Sequence, residues 1–224
     1  MNIFEEGSPL IRFLNRIADL LILNLLTLLF CLPVITAGAA LTAMHYVLLK
    51  LVRDEEGYIV QSYFRSFKRN FLQATALWLI FGALWALMIS TLSMIIQGSA
   101  GFPIWLPSAI LVTALLLWTV MIYTFALLSR YDNGVFRTLF NAFSLTFGEL
   151  VRSLEMLIIT LVPFVLLIGS FVALPFLMLF GLSVPGYACA MIYDPVFRKI
   201  EALAGDASEE EEWEEEEQTP DRSL

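Results

Sequence analysis

FLQATALWLIFGALWALMISTLSMIIQGSAGFPIWLPSAILVTALLLWTVMIYTFALLS, residues 71–129, contains no acidic or basic side chain. A helix that crosses the hydrocarbon core of a bilayer needs about 20 predominantly apolar residues. The stretch therefore holds two spans, Phe71 to Ile96 and Ser108 to Leu128, joined by a short turn at Gln97–Pro107 that Gly98, Gly101, Pro103 and Pro107 mark. Inside lipid every backbone N–H and C=O must find a partner within the protein, which leaves helices or closed barrels. Continuous apolar runs without period-two alternation choose helices.

The flanks repeat the pattern. Leu20–Leu49 and Met156–Tyr193 carry no acidic, Lys or Arg side chain either. The first is interrupted at Pro33 and reads as two short spans, Ile17 to Leu32 and a run ending at Val52. The second reads as spans at about Leu154–Gly169 and Leu174–Tyr193, the last bent by Pro175, Gly181, Pro185 and Gly186. Composition agrees: 59% of residues are hydrophobic and only 15% charged, against about 25% charged in soluble domains. The expected fold is all-α, a polytopic transmembrane bundle of six spans with an added amphipathic helix in each of two loops. A single long span, Ile17 to Ala39, followed by a surface helix would give five. The small-residue run Ala37-Gly38-Ala39 resembles a signal-peptide cleavage site, but Glu5 and Glu6 make the start acidic and Pro33 interrupts the apolar run.

The net charge of −8 is a property of one end. Eleven of the 21 acidic residues lie from Glu201 onward with a single base, Arg222, so the body holds ten acids and twelve bases. The division expected is a transmembrane domain over 1–200 and an acidic disordered tail over 201–224. Lys50, Arg53, Arg65, Lys68 and Arg69 cluster in one connection, Arg130, Arg137 and Arg152 in the next, and Arg198 and Lys199 follow the last span. The intervening turns have none. The positive-inside rule then places both chain ends and both long loops in the cytoplasm.

Those two loops are patterned alike. Val60, Tyr63, Phe64, Phe67 and Phe71 form a stripe at helical spacing, with Gln61, Arg65, Lys68 and Arg69 off it. Phe136, Leu139, Phe140, Phe143 and Phe147 form a second stripe, with Arg137, Thr138, Asn141 and Ser144 off it. Asp54-Glu55-Glu56-Gly57 precedes the first and Asp132-Asn133-Gly134 the second, which makes a weak parallel repeat offset by about 76 residues. Tyr193-Asp194 and Val196-Phe197-Arg198 echo Tyr131-Asp132 and Val135-Phe136-Arg137. Phe64, Arg65, Phe67, Lys68, Arg69 and Arg137 are the candidate contacts, either with lipid head groups or with a docked partner.

Asp19, Asn24 and His45 are the intramembrane polar candidates, with Thr27 continuing the strip of Asn24. An ionisable residue at membrane depth suggests a proton or solute path. The plainer reading pairs Asp19 with Arg16 one turn away and lets Asn24 bond a neighbouring helix. Cys31 and Cys189 sit in apolar segments and read as small buried hydrophobes. No GxxxxGK[ST], HExxH or CxxC pattern occurs. No cofactor, metal or nucleic-acid partner is expected, nor is enzymatic activity.

Ser8-Pro9-Leu10-Ile11-Arg12-Phe13-Leu14-Asn15-Arg16-Ile17-Ala18-Asp19-Leu20 carries a family resemblance. It continues through Asn24, Leu32-Pro33-Val34-Ile35-Thr36-Ala37-Gly38-Ala39, Lys50-Leu51-Val52-Arg53-Asp54-Glu55-Glu56-Gly57-Tyr58 and Phe64-Arg65-Ser66-Phe67-Lys68-Arg69-Asn70-Phe71. On these residues the chain resembles the YesL-like family, integral membrane proteins classed as a domain of unknown function. The resemblance covers roughly 1–200 and is sharpest in the first 80 residues. It implies a multi-pass protein of the bacterial cytoplasmic membrane, often encoded beside carbohydrate-uptake genes, and assigns no residue a chemical role. The resulting expectation is a non-enzymatic accessory of carbohydrate uptake that contacts the bilayer and a sugar-transporter complex. The alternative is a self-contained transporter or channel for a small solute, present as a homo-oligomer.

Overall fold

The computed structural model describes residues 9–55, 57–98, 101 and 103–218, and of the side chains of 9, 171 and 206–218 only the backbone is described. Glu5, Glu6, Ser8, Glu56 and the end of the acidic tail from 219 lie outside the described residues. Eight α-helices are present among them: α1 Pro9–Cys31, α2 Ala37–Val52, α3 Ile59–Ile96, α4 Leu106–Arg130, α5 Val135–Gly148, α6 Leu150–Gly169, α7 Leu174–Phe180 and α8 Ser183–Gln218. Short 3₁₀ turns at Val34–Thr36 and Phe171–Ala173 lead into α2 and α7, and no strand occurs among the described residues. Five helices are long and apolar enough to cross a membrane. The pair α7 and Ser183–Gly205, bent by 47°, makes a sixth if counted as one span.

α2 is the centre of the bundle. It packs against α1, α3, α4 and α8, and most of its circumference is buried, from Ala37, Gly38, Ala39 and Ala40 to Val47, Leu48 and Leu49. A helix that is apolar all round belongs inside, and its run of small residues lets neighbouring backbones approach closely. Gly38 marks the tightest approach. A Cβ there would lie 2.5 Å from the Ala74 carbonyl oxygen and 2.7 Å from Trp78 Cβ on α3.

The sequence predicts a separate amphipathic helix before a span starting at Phe71. Instead α3 runs unbroken through both for 38 residues, about 57 Å at 1.5 Å per residue. The reason is local: neither Gly nor Pro occurs between Ile59 and Phe81. The second copy of the pattern is split, because Gly148-Glu149 stops α5, Glu149 taking φ −121° and ψ 53°. Ser153 spans that break, its hydroxyl donating to the Thr146 carbonyl at 3.0 Å. α8 crosses the boundary expected at residue 200 and continues to Gln218. Once a helix is nucleated, each further residue adds a hydrogen bond, and Ala202, Leu203, Ala204 and the glutamates are good helix formers.

The α1–α2 turn sits beside Ala74 and Trp78 of α3. From Leu79 to Ile96 α3 then extends about 27 Å beyond that level. The tip of the hairpin, Leu32, Val34 and Ile35, is apolar and exposed, as suits lipid rather than water. The first hairpin thus starts from the end that holds Arg16 and Arg53 and turns back at a level short of the α3–α4 turn. A membrane-impermeant maleimide applied from the α3–α4 side is expected to label Gln97→Cys and not Val34→Cys, in a chain whose Cys31 and Cys189 are alanine. Equal labelling of both would show instead that the hairpin crosses completely.

Candidate functional site

At one end of the bundle the helix termini converge and their charges interlock. α2 stops at Val52, and Arg53 points inward. Its Nε donates to Asp194 Oδ1 of α8 at 2.6 Å, and its Nη1 to Glu201 Oε2 at 3.0 Å. The Arg53 and Asp194 side chains are only 9% and 5% exposed. Glu201 also accepts from Arg130 Nε at the end of α4, 2.9 Å away, and Asp194 from Arg198 Nε at 2.7 Å. Burial alone would draw the Arg53 guanidinium down, but hydrogen bonds to Glu201 and Asp194 and their negative charge hold it above its ordinary value. Tyr131 closes the cluster, its hydroxyl 3.3 Å from Glu201 Oε1. Burial, reinforced by the Glu201 carboxylate, pushes that phenol up to about 12, so it remains neutral.

A second tie secures α1 at the same end. Arg16 does not pair with Asp19, as its spacing suggests. It donates to the Leu51 carbonyl at the C-terminus of α2 and to Asp54, adding a cation where the helix dipole favours one. Asp54 takes the left-handed conformation, φ 52°, that ends α2. Asp19 is half-buried and forms no ion pair among the described residues.

Asn24 bonds a neighbouring helix, as the plainer reading has it, and does so three times. It is fully buried. Its Oδ1 accepts from the Leu182 and Ser183 amides at 2.9 Å each, and its Nδ2 donates to the Met178 carbonyl at 2.8 Å. These are the backbone groups freed where α7 breaks from α8. Gly181 makes the break, since a Cβ there would lie 2.4 Å from the Leu177 carbonyl oxygen.

His45 is buried on α2, its Nδ1 3.1 Å from the hydroxyl of Tyr193, which is itself fully buried. It borders a cavity of about 440 Å³ formed by α2, α3, α4, α6 and the α7–α8 break. Trp78, Phe81, Trp85, Trp118, Phe125 and Phe164 supply its aromatic wall. No hydrogen bond joins Asp19, Asn24 and His45 to one another among the described residues. Asn24 bonds the α7–α8 break, and His45 borders the cavity that Gly181 and Leu182 of that break also line.

The two aromatic stripes are used in opposite ways. On α3, Phe30 of α1 packs edge-on to Phe64 at 5.4 Å and against Phe67 at 5.1 Å, so these rings hold α1. Arg65, Lys68 and Arg69 remain exposed, and Arg69 reaches Asp132 at 2.9 Å. On α5 the small face, Thr138, Ala142 and Thr146, is buried, while Phe136 and Phe140 point outward, 88% and 70% exposed. Thr138 and Thr146 donate back to Gly134 and Ala142 carbonyls, which lets the polar side turn inward without unsatisfied groups. Arg137 is exposed beside Phe136.

The charged cluster escaped the sequence reading. Its one trace was the echo of Tyr131-Asp132 in Tyr193-Asp194, and the echo conceals a division of labour: Asp194 is buried with Arg53, whereas Asp132 is exposed.

Residues 20–92 match the family model described as "Protein of unknown function, DUF624". The match takes in most of α1, all of α2 and α3 almost to its end, the part of the chain that holds Asn24, His45 and Arg53. The chain is similar to that family over those residues, and the description gives it no activity. No curated protein and no solved structure matches the chain.

Arg53→Ala leaves the Asp194 carboxylate buried with only the exposed Arg198, a loss of about 3–5 kcal/mol. Arg198→Ala, removing a cation that is 59% exposed, is expected to cost under about 1 kcal/mol. Thermal unfolding in detergent reads both, and equal midpoints would refute the asymmetry. Asn24→Ala strands two amides and a carbonyl at the α7–α8 break and is expected to cost at least about 2 kcal/mol in the same assay.

Proposed function

We propose that this chain is a non-enzymatic component of a bacterial cytoplasmic membrane that assists carbohydrate uptake by holding a sugar-transporter complex. The observation that carries the reading is the outward phenylalanine face of α5. Phe136, Phe140, Phe143 and Phe147 are all exposed, Arg137 lies beside them, and the small face of the same helix is already occupied by α4. Exposed aromatic residues and arginine are the side chains enriched at protein interfaces. The YesL-like resemblance supplies the link to carbohydrate uptake, by association of genes rather than by chemistry. In this reading the charges of the inner cluster are structural, because each of Arg53, Asp194, Glu201 and Arg130 is committed to another.

A second reading, a self-contained transporter, is favoured by one observation, the cavity beside His45. Solute flux into liposomes holding only this protein would establish it. For the first reading the test is a mild-detergent pull-down of the tagged full chain from its native membrane, with partners identified by mass spectrometry. Sugar-transporter subunits are expected to be recovered, and to be lost with Phe136→Ala plus Phe140→Ala while the amount of protein in the membrane is unchanged. Phe64→Ala, on the stripe turned toward α1, is expected to lower stability instead. Recovery of the wild-type chain alone would remove the accessory reading.

A further inference from the structure

The wall of the cavity offers donors and lacks matching acceptors. The Tyr193 hydroxyl is fully buried and has no partner among the described residues other than His45 Nδ1. A buried O–H left without an acceptor is costly, so the phenol donates to Nδ1 and the imidazole hydrogen resides on Nε2. Among the described residues Nε2–H has no acceptor, and neither have the indole N–H groups of Trp78 and Trp85. The remaining polar pair is closed: Trp118 Nε1 donates to Thr160 Oγ1 at 3.0 Å, and Thr160 donates to the Met156 carbonyl at 2.8 Å. The rest of the wall is aromatic, Met, Leu, Ile, Pro, Gly and Cys.

Four of the walls, α2, α3, α4 and α6, belong to helices of membrane-spanning length, which places the cavity among segments that lipid surrounds. Gly82 lies at the cavity with no atom within 4 Å of where its Cβ would stand. Its lack of a side chain leaves the cavity open without serving any helix contact.

We propose that this cavity binds a membrane-borne lipid that carries a carbonyl group, its apolar chain among Trp85, Trp118, Phe125 and Phe164 and its carbonyl oxygen accepting from His45 Nε2. A volume of about 440 Å³ is in the range of small-molecule sites, which pair apolar walls with a few placed polar groups. The same chemistry is presented by two membrane constituents, the ester carbonyl of a phospholipid and the ring carbonyl of an isoprenoid quinone.

Tryptophan quenching distinguishes them, because Trp78, Trp85 and Trp118 border the cavity. The full chain in dodecyl maltoside micelles is titrated with decylubiquinone and, separately, with phosphatidylglycerol bearing a dibrominated acyl chain. Quenching by one probe is expected to saturate, and the probe that saturates identifies the source. Gly82→Leu, which narrows the cavity, and His45→Ala, which removes the donor, are each expected to raise the half-saturating mole fraction about tenfold. His45→Gln, keeping an N–H, is expected to recover part of that loss. Quenching that rises without saturation for both probes would overturn the proposal. So would saturation that Gly82→Leu leaves unchanged, since binding would then lie elsewhere on the protein.

Discussion

The buried pair of Arg53 and Asp194 is the constraint on which the arrangement of helices depends. α2 is surrounded by four other helices, so its C-terminus and the charge that follows it cannot reach water freely. Arg53 has to be matched where it lies, and the match comes from α8, the helix most distant in sequence. A buried guanidinium is tolerated only with carboxylates close by and its hydrogen bonds made. Glu201 adds the second carboxylate and, by also accepting from Arg130, brings in α4. Arg16 ties α1 to the Leu51 carbonyl of α2 and to Asp54 just beyond it. One end of the bundle is therefore fixed by ions, while the spans above it are held by apolar packing that lipid does little to enforce.

Much of the fold was legible in the sequence because lipid imposes simple rules. Charge-free runs located the spans, Pro and Gly located their turns, and the last span was read as irregular from Gly181, Pro185 and Gly186, where α7 and α8 are bent by 47°. What failed was anything decided by which helix faces which. The Phe64 and Phe140 stripes look the same by periodicity, yet one packs on Phe30 and the other points away from the bundle. Periodicity gives a face and not its partner. Arg16 and Asp19 stand one turn apart, and the helix rule for such pairs lost to the Leu51 carbonyl and the Asp54 carboxylate at the end of a different helix. Arg53–Asp194 spans 141 residues, and nothing local could announce it.

The two halves of the weak repeat show how a local change of sequence alters architecture. In the first, Phe71 follows Asn70 without interruption, and the amphipathic segment and the span form a single rod. In the second, Gly148-Glu149 breaks the rod, and α5 is free to rotate its small face onto α4. That rotation is what exposes the phenylalanines. The proposed contact surface is thus a consequence of the break, and the first half, lacking one, turns its aromatic residues toward α1.

The break between α7 and α8 raises a different question, since a helix interrupted within lipid exposes backbone groups that cost several kcal/mol each when unpaired. Asn24 answers the cost by bonding two amides and one carbonyl from another helix. A continuous α-helix would have satisfied those groups by itself, so the arrangement needs a reason beyond closure. The reason lies on the other face of the break. Gly181, Leu182, Pro185 and Gly186 border the cavity that His45 faces, and a straight helix would carry its backbone on a different course past that space. Irregular backbone at membrane depth is found where it lines a cavity. Asn24 thus holds the broken backbone from one side, and on the other that backbone and His45 border the same cavity.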